Sequence, residues 1–176
     1  MRPDEPADLR LSQDQVLTLF HYIAQLQQSA CLDPLTSLLN RRGLVAQFEQ
    51  WAGRCDQDGA TLAVVMLDVV GLKQLNARGY EVGDDALKAV AEGLNQAVGD
   101  GEVCGRWGGD EFVALLPHSD LPEVEAFLDR LRTLLDKERT SPGITAGWAI
   151  RSPGEGQTIT EWAGLAARNM QASRRA

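Results

Sequence analysis

The sequence lacks the features that mark secreted, zinc-binding and membrane proteins. Its three cysteines, Cys31, Cys55 and Cys104, lie far apart without a Cys-x-x-Cys pair, which argues against a disulfide framework or a zinc site and suits a reducing compartment. The longest uninterrupted apolar stretch, 62–67, is far shorter than the roughly 20 residues that a bilayer-spanning helix needs. The first residues also lack the basic and then apolar order of a signal peptide. We therefore expect a cytoplasmic protein without a membrane segment.

Positive charge and histidine are also scarce. The chain has 17 Lys and Arg against 25 Asp and Glu, which gives a net charge of −8 at pH 7. Binding to a nucleic-acid backbone needs a basic face, so this composition argues against a nucleic-acid partner. A phosphate-containing ligand would instead need a divalent cation held by clustered carboxylates. The two histidines, His21 and His118, have no partner at metal-ligand or triad spacing, and we interpret them as structural.

What is present suffices for one globular domain, 32–176, and a short additional element, because 44% of the 176 residues are hydrophobic. Residues 1–10 are polar and are expected to be disordered. Residues 11–31 are predicted to form an N-terminal helix with apolar positions at alternating spacings of three and four. This stripe comprises Val16, Leu19, Ile23, Leu26 and Ala30. It indicates either a helix that packs on its own domain or a short coiled coil that joins two chains.

Hydrophobic periodicity predicts the elements of the main domain. Asp33-Pro34 should end the N-terminal helix, since proline disfavours helical geometry before it. The predicted segments are helix 41–54, strand 61–70, helix 84–98, strands 103–107 and 112–116, helix 121–135, strand 144–150 and helix 161–174. This split β-α-β-β-α-β order suggests an α+β domain with an antiparallel sheet covered by helices.

Three carboxylates stand where packing alone would not place them. Asp68 ends an apolar strand, and Asp110 with Glu111 follows a Gly-Gly pair at a predicted hairpin tip. The last two alone could form a solvated turn, but an acid at the end of a buried strand is unusual. If the strand and hairpin are neighbours, the three acids converge, and Mg²⁺ or Mn²⁺ would offset their repulsion. After Asp68, Gly71 and Lys73 could hold a phosphate, although each alone is a weak signal.

The run Arg106-Trp107-Gly108-Gly109-Asp110-Glu111-Phe112 resembles the signature of GGDEF-type diguanylate cyclases, and the resemblance extends from about residue 30 to the C-terminus. Further matching positions are Asp33-Pro34-Leu35-Thr36, Leu39-Asn40-Arg41-Arg42, Leu67-Asp68, Lys73, Asn76, Gly79 and Gly83-Asp84. The resemblance implies a ferredoxin-like palm domain with a mostly antiparallel sheet. It also implies a homodimer that condenses two GTP molecules into cyclic di-GMP, because each domain binds one GTP.

The resemblance implies a role for each matching residue. Metal ligands would be Asp68, the backbone carbonyl of Val69, Asp110 and Glu111. Asp110 and Glu111 would be catalytic, with Glu111 helping to deprotonate or orient the attacking ribose 3′-hydroxyl. Asn76 and Asp84 would read the guanine edge, and residues 71–73 would hold the triphosphate. The substrate-binding positions are Gly71, Leu72, Lys73, Asn76, Tyr80, Asp84, Arg106, Gly108, Gly109 and Arg174. Arg106 could contact a phosphate or buttress the acidic cluster.

The sequence departs from the family pattern at several positions. The second acid of the usual Asp-x-Asp is replaced by Val70, and Leu72 and Tyr80 replace an aromatic residue and a histidine. On the last helix, Ala167, Gln171 and Arg174 replace the common Asp, Tyr and Lys. These changes leave an alternative open: a catalytically weak or silent module that binds GTP and regulates a partner. An altered nucleotide choice is a third possibility, kept open by Tyr80 and Leu72.

Two expectations concern regulation. The family's Arg-x-x-Asp product-inhibition site is replaced by Gly99-Asp100-Gly101-Glu102, and an uncharged glycine cannot make a bidentate phosphate contact. We expect no feedback inhibition through that site. The sequence shows no sensor domain beyond its first thirty residues, so an upstream sensor or a regulatory partner is a further possibility.

Overall fold

The computed structural model describes residues 12–19, 22, 30–137 and 142–173. The chain divides into two compact units, Met1–Ala30 and Cys31–Ala176. In the first unit, residues 13–19 are helical. Two of the five positions of the predicted apolar stripe, Ile23 and Leu26, lie outside the described residues, so the choice between a packing helix and a coiled coil stays open.

The second unit contains five helices and four strands among its described residues. In chain order they are α1 (Arg41–Asp58), β1 (Leu62–Val69), α2 (Leu72–Asn76), α3 (Tyr80–Ala97), β2 (Val103–Gly108), β3 (Glu111–Pro117), α4 (Leu121–Lys137), β4 (Ile144–Arg151) and α5 (Ile159–Ser173). The strands form one sheet in the order β2-β3-β1-β4. Every neighbouring pair is antiparallel, which confirms the predicted α+β fold with an antiparallel sheet and helices around it.

The central strand β1 is buried on both faces because its side chains alternate between two cores. Ala63, Val65 and Leu67 belong to a core that α3 and α4 cover. Leu62, Val64 and Met66 belong to a second core that α1 and α5 cover. Each fully buried aliphatic side chain of this kind contributes about 1.5–3 kcal/mol. The sheet therefore lies between two helical layers, and an acid on β1 must emerge at the end of the strand.

Several elements differ in extent from the sequence prediction, and α1 ends at Asp58 instead of at residue 54. The segment after β1, expected to be a loop, contains the one-turn helix α2, and α3 begins at Tyr80 instead of at residue 84. Gly83 lies just before the predicted start of this helix, and glycine is a poor helix former. In the structure Gly83 is buried inside α3, and a Cβ there would collide with Asn76 Oδ1. Contact between α2 and α3 overrides the helix propensity.

Two contacts of β4 hold α5 and α1 in place. Gly147 in β4 allows α5 to pack directly on the strand, because a Cβ there would meet the backbone of Ala166 and Met170. At the far end of β4, the buried Arg151 makes a bidentate pair with Asp56 at 2.8 and 2.9 Å. Among the described residues, no helix is both long and apolar enough to cross a membrane.

His118 has a partner that the sequence spacing did not reveal. Its Nε2 lies 3.0 Å from Asp58 Oδ2, and both side chains are largely exposed. The pair joins the end of α1 to the residue after β3, at the end of β3 remote from Glu111. The structural role of His118 stays a prediction. His21 lies outside the described residues.

Candidate active site

The sheet brings the distant acids together. Asp68 at the end of β1 is the register partner of Glu111 at the start of β3. Asp68 shares its face of β1 with Met66, and Glu111 shares its face of β3 with Val113; both apolar residues belong to the α1/α5 core. The backbone amide of Val69 donates a hydrogen bond to the carbonyl of Asp110 at 3.1 Å. The convergence expected from the sequence is therefore present.

The acids act on one another electrostatically. The pKa of Glu111 is raised, first by partial burial of its carboxyl and then by the negative charges of Asp110 and Asp68. Arg41 opposes this effect and favours the ionised carboxylate. A divalent cation would relieve the same repulsion, since it binds hard, negatively charged oxygens.

The donor set decides what kind of metal site is possible. No group of three or more His, Cys, Asp or Glu side chains in the described parts of the chain is arranged to hold a metal ion. Mg²⁺ usually takes only one or two carboxylates and completes its shell with water and substrate phosphates. Neighbouring carboxylates at the ends of the paired strands β1 and β3 fit that mode of binding. They do not fit a closed, all-protein cage.

The hairpin between β2 and β3 is restrained by Arg106. Gly109 adopts a left-handed conformation with φ 56°, which glycine accepts without strain. Arg106 Nε and Nη2 donate to the Gly109 carbonyl at 3.0 and 2.8 Å, and Arg106 Nη1 donates to Asp33 Oδ1 at 3.4 Å. Asp33 also accepts hydrogen bonds from the backbone amide and hydroxyl of Thr36. These contacts favour the buttressing role for Arg106 over a phosphate contact.

The predicted phosphate-binding residues follow β1. Gly71 caps α2 in a left-handed conformation with φ 78°, so the chain turns sharply after the strand. Leu72 and Lys73 occupy the first turn of α2, and the Lys73 side chain is exposed. Gly108 ends β2 and Gly109 follows it, and both are exposed at the hairpin tip. The next strand of this hairpin, β3, pairs with β1.

The predicted base-reading residues lie on two touching helices. Asn76 ends α2 and its side chain lies against Gly83, the residue before Asp84 on α3. Asp84 is exposed, and Tyr80 is one helical turn before it with 83% of its surface exposed. The structure thus brings Asn76, Tyr80 and Asp84 into one region beside α2. Arg174, by contrast, lies outside the described residues.

The last helix carries the departures from the family pattern. Ala167 is half-buried and Gln171 is exposed on α5, and neither offers a charged group. A cavity of about 750 Å³ lies elsewhere, lined by other residues of α2, α3 and the turn between them that include Gln74, Arg78 and Asp85. It shares only Gly71 with the predicted site. We therefore assign the candidate site from the convergence of the acids and not from cavity size.

Sequence reasoning missed Arg41. Its guanidinium lies 4.4 Å from the centre of the Trp107 ring, and Nη2 is 3.5 Å from Thr160 Oγ1. Arg41 belongs to the matching run 39–42, but the spacing of that run from the acids in sequence gives no sign of their proximity in the fold. Only the pairing of β1 and β3, with α1 packed over them, places Arg41 near Glu111.

Comparison with known proteins gives a consistent result. The family model described as "Diguanylate cyclase, GGDEF domain" matches residues 30–176. Diguanylate cyclase DgcP of Pseudomonas aeruginosa is 36% identical over 126 residues, which covers 70% of this chain and 19% of DgcP. Cyclic di-GMP phosphodiesterase NbdA of the same organism is 36% identical over 114 residues, which covers 64% of this chain and 15% of NbdA. The chain thus spans about a fifth or less of the length of these relatives.

Solved structures agree with the family match. Diguanylate cyclase SiaD, crystallised in complex with its activator SiaC from Pseudomonas aeruginosa, superposes with a TM-score of 0.76 at 27% identity. The alignment covers 92% of this chain and 65% of SiaD. The signature run, the antiparallel sheet and the family match lead to one assignment. The chain belongs to the GGDEF domain family of diguanylate cyclases.

Proposed function

We propose that this chain is a diguanylate cyclase, which condenses two GTP molecules into cyclic di-GMP and releases pyrophosphate. The single observation that carries the proposal is the register pairing of Asp68 with Glu111, with Asp110 at the adjoining hairpin tip. Acids that are more than forty positions apart in sequence meet where β1 ends and β3 begins. The raised pKa of Glu111 fits a group that can accept a proton.

Asp68, the Val69 carbonyl, Asp110 and Glu111 would hold Mg²⁺ or Mn²⁺. When bound, such an ion neutralises charge on the phosphates of the nucleotide. Gly71, Leu72 and Lys73 would position the triphosphate. Asn76 and Asp84 would bind the guanine edge, the amide and carboxylate matching its acceptor and donor groups. Tyr80, Gly108, Gly109 and Arg174 complete the proposed substrate-binding set, and Arg106 would hold the hairpin in place through Gly109 and Asp33.

The proposed reaction is two phosphoryl transfers of the same kind. The ribose 3′-oxygen of one GTP attacks the α-phosphorus of the other, and the bond from that phosphorus to pyrophosphate breaks. Glu111 orients the 3′-hydroxyl and takes up its proton. The second transfer runs in the opposite direction, so two GTP give one cyclic di-GMP and two pyrophosphates. The protein contributes positioning and charge neutralisation, which dominate catalysis of such transfers.

A homodimer follows from this chemistry. Each domain is proposed to bind one GTP, so both transfers require two domains face to face. Contacts that join two chains would raise the effective concentration of the second domain. The relatives that match are longer proteins, and SiaD was crystallised with an activator. A regulatory partner or an upstream sensor is therefore part of the proposal.

Incubation of the purified chain with GTP and Mg²⁺, followed by chromatography of the nucleotides, tests the proposal. We expect cyclic di-GMP and pyrophosphate from the wild type. Glu111→Gln is the matched control, because glutamine keeps the shape but cannot accept the proton; we expect a loss of about a hundredfold or more in turnover with GTP binding retained. A glutamine variant as active as the wild type would rule out the role of Glu111.

The second candidate function is a silent module that binds GTP and regulates a partner. Ala167 and Gln171 favour it, because they stand on α5 where the family pattern has an acid and a tyrosine. The similarity to a protein named as a phosphodiesterase also shows that domains of this type occur outside proteins named as cyclases. Wild-type protein that binds GTP tightly but forms no cyclic di-GMP would identify this function.

A further inference from the structure

Arg41 lies beside the acidic cluster, but it has no role in the reaction proposed above. Its guanidinium lies 4.4 Å from the centre of the Trp107 ring, and Trp107 immediately precedes the two glycines of the hairpin. The charge of Arg41 also reaches Glu111, where it opposes the combined effect of burial and of the neighbouring acids. Arg41 is therefore a cation held at the edge of an acidic site.

The local fold fixes the position from which Arg41 projects. Asn40 Oδ1 accepts a hydrogen bond from the amide of Gly43 at 3.0 Å, which caps α1. The carbonyl of Leu39 accepts a hydrogen bond from the amide of Arg106 at 2.7 Å, which joins the start of α1 to β2. Gly105 permits this approach, because a Cβ there would meet the Leu39 carbonyl. The side chain of Arg41 thus projects from a backbone segment that is hydrogen-bonded to the signature hairpin.

Most N–H donors of Arg41 have no hydrogen-bond acceptor among the described residues. A guanidinium carries five N–H donors, and over an aromatic ring it interacts through its face. Within the part of the chain that the structure describes, its one hydrogen bond is the 3.5 Å contact with Thr160 Oγ1, at the long limit for such a bond. The same part of the chain shows no ion pair from Arg41 to a carboxylate. The side chain is exposed, so an anion can reach it.

We propose that Arg41 is a further substrate-contacting residue, whose guanidinium donates hydrogen bonds to phosphate oxygens of a nucleotide bound at the acidic cluster. This inference rests on the proposed function of that cluster as a GTP site. The contact with Trp107 pre-organises the planar group, so less side-chain entropy is lost when phosphate binds. The forked N–H groups match two phosphate oxygens, which a lysine ammonium cannot do in the same geometry.

A binding experiment separates phosphate recognition from a packing role. The full chain would be titrated with the α,β-methylene analogue of GTP in the presence of Mg²⁺, and separately with guanosine, so that no turnover is needed. Arg41→Met keeps an unbranched stem over Trp107 but removes the charge, and Arg41→Lys keeps a point charge. Arg42→Met is the matched control, because Arg42 is the next residue and is also exposed.

We expect Arg41→Met to weaken binding of the analogue by about tenfold to a hundredfold, the usual effect of losing hydrogen bonds to a charged group. Binding of guanosine should not change, Arg41→Lys should recover part of the affinity, and Arg42→Met should match the wild type. Thermal unfolding of each variant checks that the fold is intact.

Several results would overturn the inference. They are unchanged binding of the analogue by Arg41→Met, an equal loss for the analogue and guanosine, or an equal loss in Arg42→Met. Wild-type protein that binds the analogue but makes no cyclic di-GMP contradicts the cyclase proposal alone, and the Arg41 comparison still stands in that protein. Wild-type protein that binds no analogue contradicts both proposals.

Discussion

At the scale of single residues, the candidate site depends on side chains that hold other groups in place. Arg106 is the clearest example, because its guanidinium bonds the Gly109 carbonyl and also pairs with Asp33, which lies 73 positions earlier. Both partners of the Arg106–Asp33 pair are largely buried, with side-chain exposures of 16% and 17%. A pair of this kind is less screened by solvent than a surface ion pair. It links the run 33–36 to the acidic hairpin.

Asp33→Asn should destabilise the domain in a pH-dependent way. Burial by itself would raise the pKa of Asp33, but the hydrogen bonds from Thr36 and the charge of Arg106 outweigh it, so the pKa is lowered from 3.8. A pKa that is lower in the folded state than in the unfolded state stabilises the fold at pH values above the unfolded-state pKa. This contribution disappears as the pH falls through the folded-state pKa. We expect a loss of about 1–3 kcal/mol at pH 7.

Chemical denaturation of wild type and Asp33→Asn between pH 3 and 7 measures this effect. The two stability curves should approach each other as the pH falls below 3.8 toward the lower folded-state pKa of Asp33, where the carboxyl of the folded protein becomes protonated. Asp100→Asn serves as the control, since Asp100 is exposed and should show little change at any pH. A constant difference between wild type and Asp33→Asn across the whole range would contradict the assigned role.

At the scale of elements, the contact between α2 and α3 decides where the proposed base-reading groups lie. Asn76 ends a five-residue helix that would be unstable in isolation. The glycine at position 83 lets the Asn76 side chain lie against α3, next to Asp84. The short helix therefore takes its order from tertiary packing, and the same packing determines the geometry of the proposed base site.

Gly83→Ala should weaken nucleotide binding more than it weakens the fold. The added methyl group collides with Asn76 Oδ1, which is the end of a flexible side chain, so Asn76 can move away at low cost. Its proposed contact with guanine is then lost, and we expect about a tenfold drop in affinity for a GTP analogue, measured by titration. Unchanged affinity would show that Asn76 does not bind the base.

Gly53→Ala is the matched substitution in another helix. Gly53 lies in α1, and no neighbouring atom lies within 4 Å of the place that an alanine methyl group would take, so alanine meets no obstacle. Alanine has the higher helix propensity and restricts the unfolded chain, so we expect about 0.5–1 kcal/mol of added stability and no change in nucleotide affinity. Thermal unfolding measures the first quantity and the same titration measures the second.

At the scale of the whole molecule, the proposed reaction needs two copies of the chain. The described part of residues 1–30 contains a helix at 13–19, and residues 31–176 form the other compact unit. A dimer held partly by the first unit would persist at lower concentrations than one held by the main domain alone. The predicted apolar stripe of residues 16–30 offers a surface for that association.

Deletion of residues 1–30 should therefore lower specific activity at low protein concentration. The difference from the full chain should shrink as the concentration rises, because mass action then drives dimer formation. Initial rates over a dilution series, together with sedimentation of both proteins, measure the effect. Equal specific activity of the two proteins at every dilution would assign dimerisation to the main domain.

Product inhibition is the second prediction at this scale. Glu102 accepts a hydrogen bond from the Gly99 amide at 2.7 Å and pairs with Arg130 at 3.3 Å, so its carboxylate already has partners within the domain. Glycine at position 99 supplies no guanidinium to bind a phosphate there. We expect added cyclic di-GMP not to inhibit initial rates through this region. A low-micromolar dissociation constant that Glu102→Ala abolishes would show that the product does bind there.

The sequence by itself determined the order of elements apart from the short helix α2, the antiparallel α+β class, the signature run and the identity of the acids. These follow from local periodicity and turn chemistry, which neighbouring residues carry. The extent of α3, the partners of Arg106 and the position of Arg41 near Glu111 were decided only by the tertiary structure. Strand pairing and helix packing bring together residues that are distant along the chain, and no local pattern encodes that proximity.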